Sequence, residues 1–271
     1  MLVAAMLTVT GCAGEDGPGD SGPTNPGAGT PATAVTLPPE GTGFDYQLGG
    51  AYSPPEGTGI VVRDSTAEPE PGIYSVCYVN GFQTQPGEEE EWDDLVLVVD
   101  GEAVVDPDWP DEVLLDSGSE TQRQEIAERL APVITGCAEA GFDAVEFDNL
   151  DSYTRSRGAL TLEDNLELAR LLGDEARNLG LAVAQKNTPE AGAQSADLFD
   201  FAITEDCGAF DECDAYSDAY AVVLDIEYAT GEEFADLCAA GAVPATAIRR
   251  DLGLVAASAE GYEFERCAVS E

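Results

Sequence analysis

From residue 44 onward, short β-rich runs alternate with stretches of helical periodicity, and this alternation limits the folds open to the chain more than any other feature. The candidate strands are FDYQL (44–48), GIVVR (59–63), IYSVCYV (73–79), EVLLD (112–116), AVEFD (144–148), LAVAQK (181–186), FDFAIT (199–204), AVVLDIEY (221–228) and VPATAI (243–248). Between several of them lie amphipathic helices. In 121–140, Ile126, Leu130, Val133, Ile134 and Cys137 share a face that Pro132 interrupts. In 161–180, Thr161 is an N-cap with Asp164 three residues on, Leu162, Leu166, Ala169 and Leu172 form the apolar stripe, and Gly180 ends it. Strand, helix, strand repeated at this spacing argues for a parallel sheet. So many repeats in one domain predict an α/β fold, a single (β/α)8 TIM barrel over 44–271. Nine runs compete for eight places, so one is accessory.

Composition removes several functions. The chain has 271 residues, 44% of them hydrophobic, and carries a formal charge of −43 from 54 acidic and 11 basic residues. That length can bury a full core, and that charge argues against binding nucleic acid through a basic patch. There are no histidines, which excludes Ser-His-Asp and Cys-His catalysis and every His-ligated metal. Acid–base chemistry must rest on Asp, Glu, Lys, Tyr or Cys.

The N-terminus reads LVAAMLTV over residues 2–9, then Thr10, Gly11 and Cys12. A short apolar run with small residues before a cysteine resembles the lipobox of bacterial lipoproteins. The expectation is a signal peptide over 1–11 and a lipidated Cys12; the run is short for a transmembrane helix. Residues 12–43 are rich in Gly, Pro and Thr, as expected of a flexible tether. The domain would then be exported and held at the outer face of a bacterial cell membrane by the lipid alone. Six further cysteines, Cys77, Cys137, Cys207, Cys213, Cys238 and Cys267, allow three disulfides in such a setting. Cys207–Cys213 is the first choice because the two lie close in sequence. A Cys-only zinc site is the alternative, but no CxxC spacing supports it, and no metal or organic cofactor is expected.

In a (β/α)8 barrel the active site lies at the C-terminal ends of the strands. Several candidate strands end there in polar residues: Asp116, Asp148 with Asn149, Lys186 with Asn187, Glu205 with Asp206, and Glu227 with Tyr228. Lys186 is the only lysine in the chain. It is either a lone surface lysine, an ammonium that holds a carboxylate ionised or binds a sugar hydroxyl, or a Schiff-base nucleophile; neighbouring carboxylates would blunt that last role. Two carboxylates across a cleft are the minimum for glycoside hydrolysis, and Asp148 and Glu205 are the best pair by position, two strands apart and roughly 10 Å between tips. Glu146 shares the parity of Asp148 and should lie one layer deeper, either orienting it or paired structurally with Lys186 or Asn187. Asp151 falls in the loop beyond. Glu227 is a third catalytic candidate, Tyr228 a sugar platform, and Tyr46, Gln47 and Tyr78 are further contacts near strand ends.

The series CYVNGFQTQP (77–86), CAEAGFDAVEFDNLDSY (137–153), LAVAQKN (181–187), FDFAITEDC (199–207) and DIEY (225–228) resembles glycoside hydrolase family 114, across 44–271. The resemblance implies a (β/α)8 endo-α-1,4-polygalactosaminidase, with Asp148 and Glu205 as the catalytic acids and Lys186, Asn187, Glu227 and Tyr228 lining the site. The sequence departs from the family's pattern at Phe147, usually proline, at Thr204, usually asparagine, and at Asp206, usually glutamate. A loop arginine is missing after Asp116. A cationic galactosamine-containing polysaccharide suits an acidic cleft. The rival readings are a non-catalytic carbohydrate-binding lipoprotein on the same barrel and a structural acidic surface protein.

Overall fold

The computed structural model describes residues 35–267 apart from Asp93 and Ala196. The expected signal peptide, the lipidated Cys12 and the tether up to residue 34 lie outside the described residues. Residues 35–42, expected within the tether, instead lie on the domain: Val35 packs against the core and Tyr74 donates a hydrogen bond to the Thr36 carbonyl.

Nine strands form one curled sheet: β1 (Gly43–Gln47), β2 (Thr58–Asp64), β3 (Tyr74–Asn80), β4 (Ala144–Asp148), β5 (Ala182–Lys186), β6 (Phe201–Glu205), β7 (Val223–Glu227), β8 (Ile248–Arg250) and β9 (Phe264–Arg266). They lie side by side in chain order, β1 to β8 parallel and β9 antiparallel to β8. The architecture is α/β and consistent with a TIM-like barrel.

Seven of the nine expected strands form as read, within a residue or two. The run 112–116 is the accessory one. Its backbone pairs with loop residues instead of the main sheet, Leu97 N–H donating to the Leu114 carbonyl and Leu115 N–H to that of Phe82. The run 243–248 becomes a turn closed by Ala247 N–H on the Pro244 carbonyl, and β8 starts only at Ile248. Pro244 cannot donate to a sheet ladder, which explains the shift.

The helices are α1 (Glu120–Ala140), α2 (Leu162–Asn178), α3 (Cys213–Ser217) and α4 (Gly231–Ala240). On α1, Ile126, Leu130, Ile134 and Cys137 are buried while Val133 faces out. The Thr161–Asp164 capping box at the start of α2 is formed as expected. Strict strand–helix alternation fails early. Pro54, Pro55, Pro69 and Pro71 interrupt the β1–β2 and β2–β3 connections, which carry no helix. With no helix in these connections, the outer face of β1 and β2 and the start of β3 carries buried Asp45, Gln47, Arg63 and Ser75. The Arg63 guanidinium satisfies this face by donating to Gln47 Oε1 and to the Glu68 and Tyr52 carbonyls.

Side-chain parity divides the core in two. Phe44, Tyr46, Ile60, Val62, Ala184 and Ile203, with their neighbours in register, fill the inner face. The alternate residues Val79, Val145, Phe147 and Val183 pack outward with α1 and α2. Three disulfides join Cys77–Cys137, Cys207–Cys213 and Cys238–Cys267. The first ties β3 to α1, and the second closes the short loop that was the first choice from sequence.

Arg250, fully buried, links the two ends of the parallel series. It donates to the Tyr46 carbonyl on β1 and to the carbonyls of Val255 and Glu263, and lies 3.4 Å from Asp45. Removing one member of a buried charged network costs about 3–5 kcal/mol. Arg250→Ala should lose stability of that order in urea unfolding; a change within the 0–1 kcal/mol or so of a surface pair would contradict this linking role.

Candidate active site

The inner face ends in a cavity of about 530 Å³ at the C-terminal edge of the sheet. Its floor is built by three adjacent strands. β4 brings Glu146 and Asp148, β5 brings Lys186, and β6 brings Glu205, all on inward-facing positions. The strand between the two acids expected to act as a pair is thus the one that carries the lysine. Lys186 Nζ lies 2.9 Å from Asp148 Oδ1, 3.0 Å from Glu205 Oε2 and 3.5 Å from Glu146 Oε1. It is 2% exposed, so its charge is balanced by these carboxylates rather than by water.

Each acid also receives one tyrosine hydroxyl. Tyr46 donates to Glu146 at 2.9 Å, Tyr78 to Asp148 at 2.6 Å, and Tyr228 to Glu205. Burial, together with these acids, pushes the three phenols well above their ordinary range, so they remain donors. Asp148 also accepts its neighbour Asn149's N–H. Burial would raise the Asp148 carboxyl, but the Lys186 ammonium and these hydrogen bonds outweigh it and hold the group below its ordinary value. Lys186 is held well above its own: burial opposes its charge, and the carboxylates more than offset that. An ammonium held protonated by three carboxylates is a poor nucleophile, which argues against the Schiff-base role.

Just past each of the three strands the backbone enters the left-handed region, at Asn149 (φ 67°), Asn187 (φ 46°) and Asp206 (φ 58°). Asn and Asp tolerate this conformation because their short polar side chains bond locally. Here they lock neighbouring strands together. Asn149 donates to Asn80 Oδ1, Glu205 N–H donates to Asn187 Oδ1, and Tyr228 N–H donates to Asp206 Oδ1.

Of the remaining sequence candidates, Tyr46, Tyr78, Asn149, Asp151, Asn187 and Tyr228 line the cavity, while Glu146 lies beneath it. Three do not reach it. Gln47 follows inward-facing Tyr46 and so points outward, bound to Asp45 and Arg63. Glu227 likewise follows inward-facing Ile226 and accepts Gly208 N–H behind the sheet. Asp116 belongs to the accessory run, where it accepts Gly118 N–H and the Gln122 amide at the start of α1. The cavity also draws on residues that carried no sequence signal, among them Asp106, Trp109, Glu112, Arg155 and Phe210. Arg155 is committed to Asp106 and Asp151. Glu112 accepts the Asn80 amide at 3.0 Å, and burial raises its carboxyl to about 7.

Glu146 is fully buried, and its Oε2 has no hydrogen-bond partner among the described residues. Burial raises its carboxyl from 4.5 to about 8, against the opposing pull of Lys186. The folded chain therefore keeps a proton that the unfolded chain releases above 4.5, so this group's contribution to stability declines as pH rises from 4.5 to about 8. Glu146→Gln should remove that slope. Thermal melts across this window should show the variant gaining on the wild type as pH rises, and parallel curves would contradict a protonated Glu146.

Comparison with known proteins identifies the family and finds similar folds. The model of glycoside-hydrolase family GH114 matches residues 24–269. Among solved structures, Aspergillus fumigatus Ega3 in complex with galactosamine is similar with a TM-score of 0.69 at 19% identity, covering 88% of this chain and 100% of that one. The glycoside hydrolase domain of PelA from Pseudomonas aeruginosa is similar with a TM-score of 0.54 at 15% identity, covering 79% of this chain and 96% of that one. No curated protein sequence matches. With the family model spanning nearly all of the chain, the protein belongs to glycoside hydrolase family GH114.

Proposed function

We propose that this protein is an exported endo-acting glycoside hydrolase that cleaves α-1,4-linked galactosamine-containing polysaccharide on a closed (β/α)8 barrel. The observation that carries the chemistry is the Lys186 ammonium between two carboxylates. Its contacts of 2.9 and 3.0 Å bring the nearest oxygens of Asp148 and Glu205 within about 6 Å of one another. Retaining glycosidases hold their carboxyl groups about 5–5.5 Å apart, and inverting ones about 6.5–9.5 Å. The short separation favours retention.

The surroundings of the two acids divide the roles. Asp148, held ionised by Lys186, Tyr78 and the Asn149 N–H, is the nucleophile. Its oxygen attacks the anomeric carbon while Glu205 gives its proton to the departing glycosidic oxygen. Glu205, the more exposed of the two at 28% against 19%, then takes a proton from water. The water oxygen displaces Asp148, restoring both acids and releasing the sugar with its configuration retained. Lys186, in contact with both acids, pairs with whichever of them is ionised at each step, and protonated Glu146 adds no third charge beneath it.

Substrate class follows from charge. Asp106, Asp108, Glu112, Asp151 and Asp206 stand around the cavity, whose only cations among the described residues, Lys186 and Arg155, are already paired with carboxylates. Such a field concentrates a cationic amino sugar, and the similar Ega3 structure holds galactosamine. Barrel closure is supported by Arg250 and by Gly49 N–H donating to the Leu254 carbonyl, which draws the segment after β8 onto the one after β1. Three disulfides support export to an oxidising compartment, and the lipobox-like Cys12 supports a lipid anchor there.

Incubation with deacetylated galactosamine polymer should generate new reducing ends, first detected in the α configuration by proton NMR. Asp148→Asn and Glu205→Gln should each lower kcat/KM by about 10²–10⁴ or more. On a substrate with an activated leaving group, azide should rescue Glu205→Ala but not Asp148→Asn. Rescue of the aspartate variant alone would reverse the two roles, and binding without cleavage by the wild type would favour a carbohydrate-binding protein.

A further inference from the structure

Large hydrophobic side chains exposed to solvent are few in this domain, and among the described residues only two of them are aromatic, Trp109 (53% exposed) and Phe210 (67% exposed). Both line the active-site cavity. They come from different loops. Trp109 lies on the loop that follows β3, and Phe210 on the loop that follows β6. In the sheet, β3 and β6 enclose β4 and β5, whose ends carry Asp148 and Lys186. The two rings therefore rise from loops on either side of Asp148 and Lys186, Phe210 on the loop that follows the strand carrying Glu205. Neither is needed by the core: each leaves more than half its surface in water, and neither belongs to a buried cluster.

Each ring has a carboxylate close in sequence that lines the same cavity, Asp108 beside Trp109 and Asp206 near Phe210. Asp108 has no ion pair among the described residues, and the Asp206 side chain receives only the Tyr228 N–H. Neither carboxylate is neutralised from within the protein. An exposed aromatic face with an unneutralised carboxylate matches a hexosamine ring. A galacto-configured sugar presents an apolar C–H face that stacks on an aromatic, and its ammonium adds attraction to the ring and pairs with the carboxylate.

We propose that Trp109 with Asp108 and Phe210 with Asp206 are two sugar-binding platforms. Together they would hold successive amino-sugar residues of one polymer on both sides of the bond cleaved. This rests on the galactosamine reading of the substrate and assigns the residues that select a stretch of chain. A single sugar fills one platform, whereas a stretch of polymer fills both, so chain segments bind in preference to monosaccharide.

The chain has two tryptophans, and the other, Trp92, is 7% exposed and buried in the core. Intrinsic fluorescence therefore reports on Trp109. Titrating catalytically silent Asp148→Asn with deacetylated α-1,4-galactosamine oligomers should shift the emission, and the shift should vanish in Asp148→Asn/Trp109→Phe. In the otherwise wild-type enzyme, Trp109→Ala and Phe210→Ala should each raise KM for the polymer about tenfold, the loss falling on KM rather than kcat. Trp109→Phe should recover most of it, and Asp108→Asn should narrow the preference for deacetylated over N-acetylated polymer. An enzyme that cleaves the polymer with KM unmoved by both alanine variants would overturn the platforms alone. A wild type that neither binds nor cleaves galactosamine polymer would overturn the substrate reading and the platforms with it.

Discussion

One ammonium among three carboxylates governs the middle of this molecule. Lys186 is almost without solvent, and so is Glu146; an unpaired charge of either sign at that depth costs several kcal/mol. The site balances because the charges are unequal in kind. Glu146 keeps its proton, so the ammonium is shared between two working carboxylates rather than three. The tyrosines complete the balance, since each acid takes one phenolic hydroxyl. Burial keeps these phenols protonated, so they act as fixed donors. The arrangement requires three neighbouring strands in parallel register, which is what the sheet supplies.

The left-handed residues at the strand exits transmit this order upward. Asn149, Asn187 and Asp206 turn the chain away from the cavity just after each functional side chain, and each bonds to a neighbouring strand. A β-branched or large apolar residue there would meet the steric penalty of positive φ and would leave the neighbouring amide unpaired. This gives a structural role to the asparagines that the sequence places at the site as polar tips and substrate contacts.

Much of this arrangement was legible in the sequence because strand parity and strand ends are strong signals. Seven strands, the α2 capping box and the trio of Asp148, Lys186 and Glu205 follow from alternation and position. The departures have separate causes. Gln47 and Glu227 end strands, but the inward Tyr46 and Ile226 imply that they face outward. Asp116 closes a β-rich run, but that run pairs with loops. Trp109 and Phe210 lie in connections whose course is set by tertiary contacts, with no period to reveal which way a side chain points. Arg250 is a basic residue at the end of a three-residue strand, and nothing local shows that it will be buried against β1.

The outward position of Glu227 explains why a second acidic pair exists behind the first. Asp225 and Glu227 share the outer face of β7, both fully buried, and Asp225 Oδ2 and Glu227 Oε2 lack partners among the described residues. Burial and the adjacent Glu227 push the Asp225 carboxyl well above its ordinary range. Their closeness at this depth disfavours a charge on both acids at once. The remaining oxygens fasten the loop after β6: Asp225 Oδ1 accepts Thr204 Oγ1–H and Cys207 N–H, and Glu227 Oε1 accepts Gly208 N–H. That loop carries Asp206 and Phe210 to the cavity, and the Cys207–Cys213 disulfide closes it. The acids behind the sheet thus act on the site through the backbone. In this chain the face of the strand on which a carboxylate falls decides between chemistry and architecture.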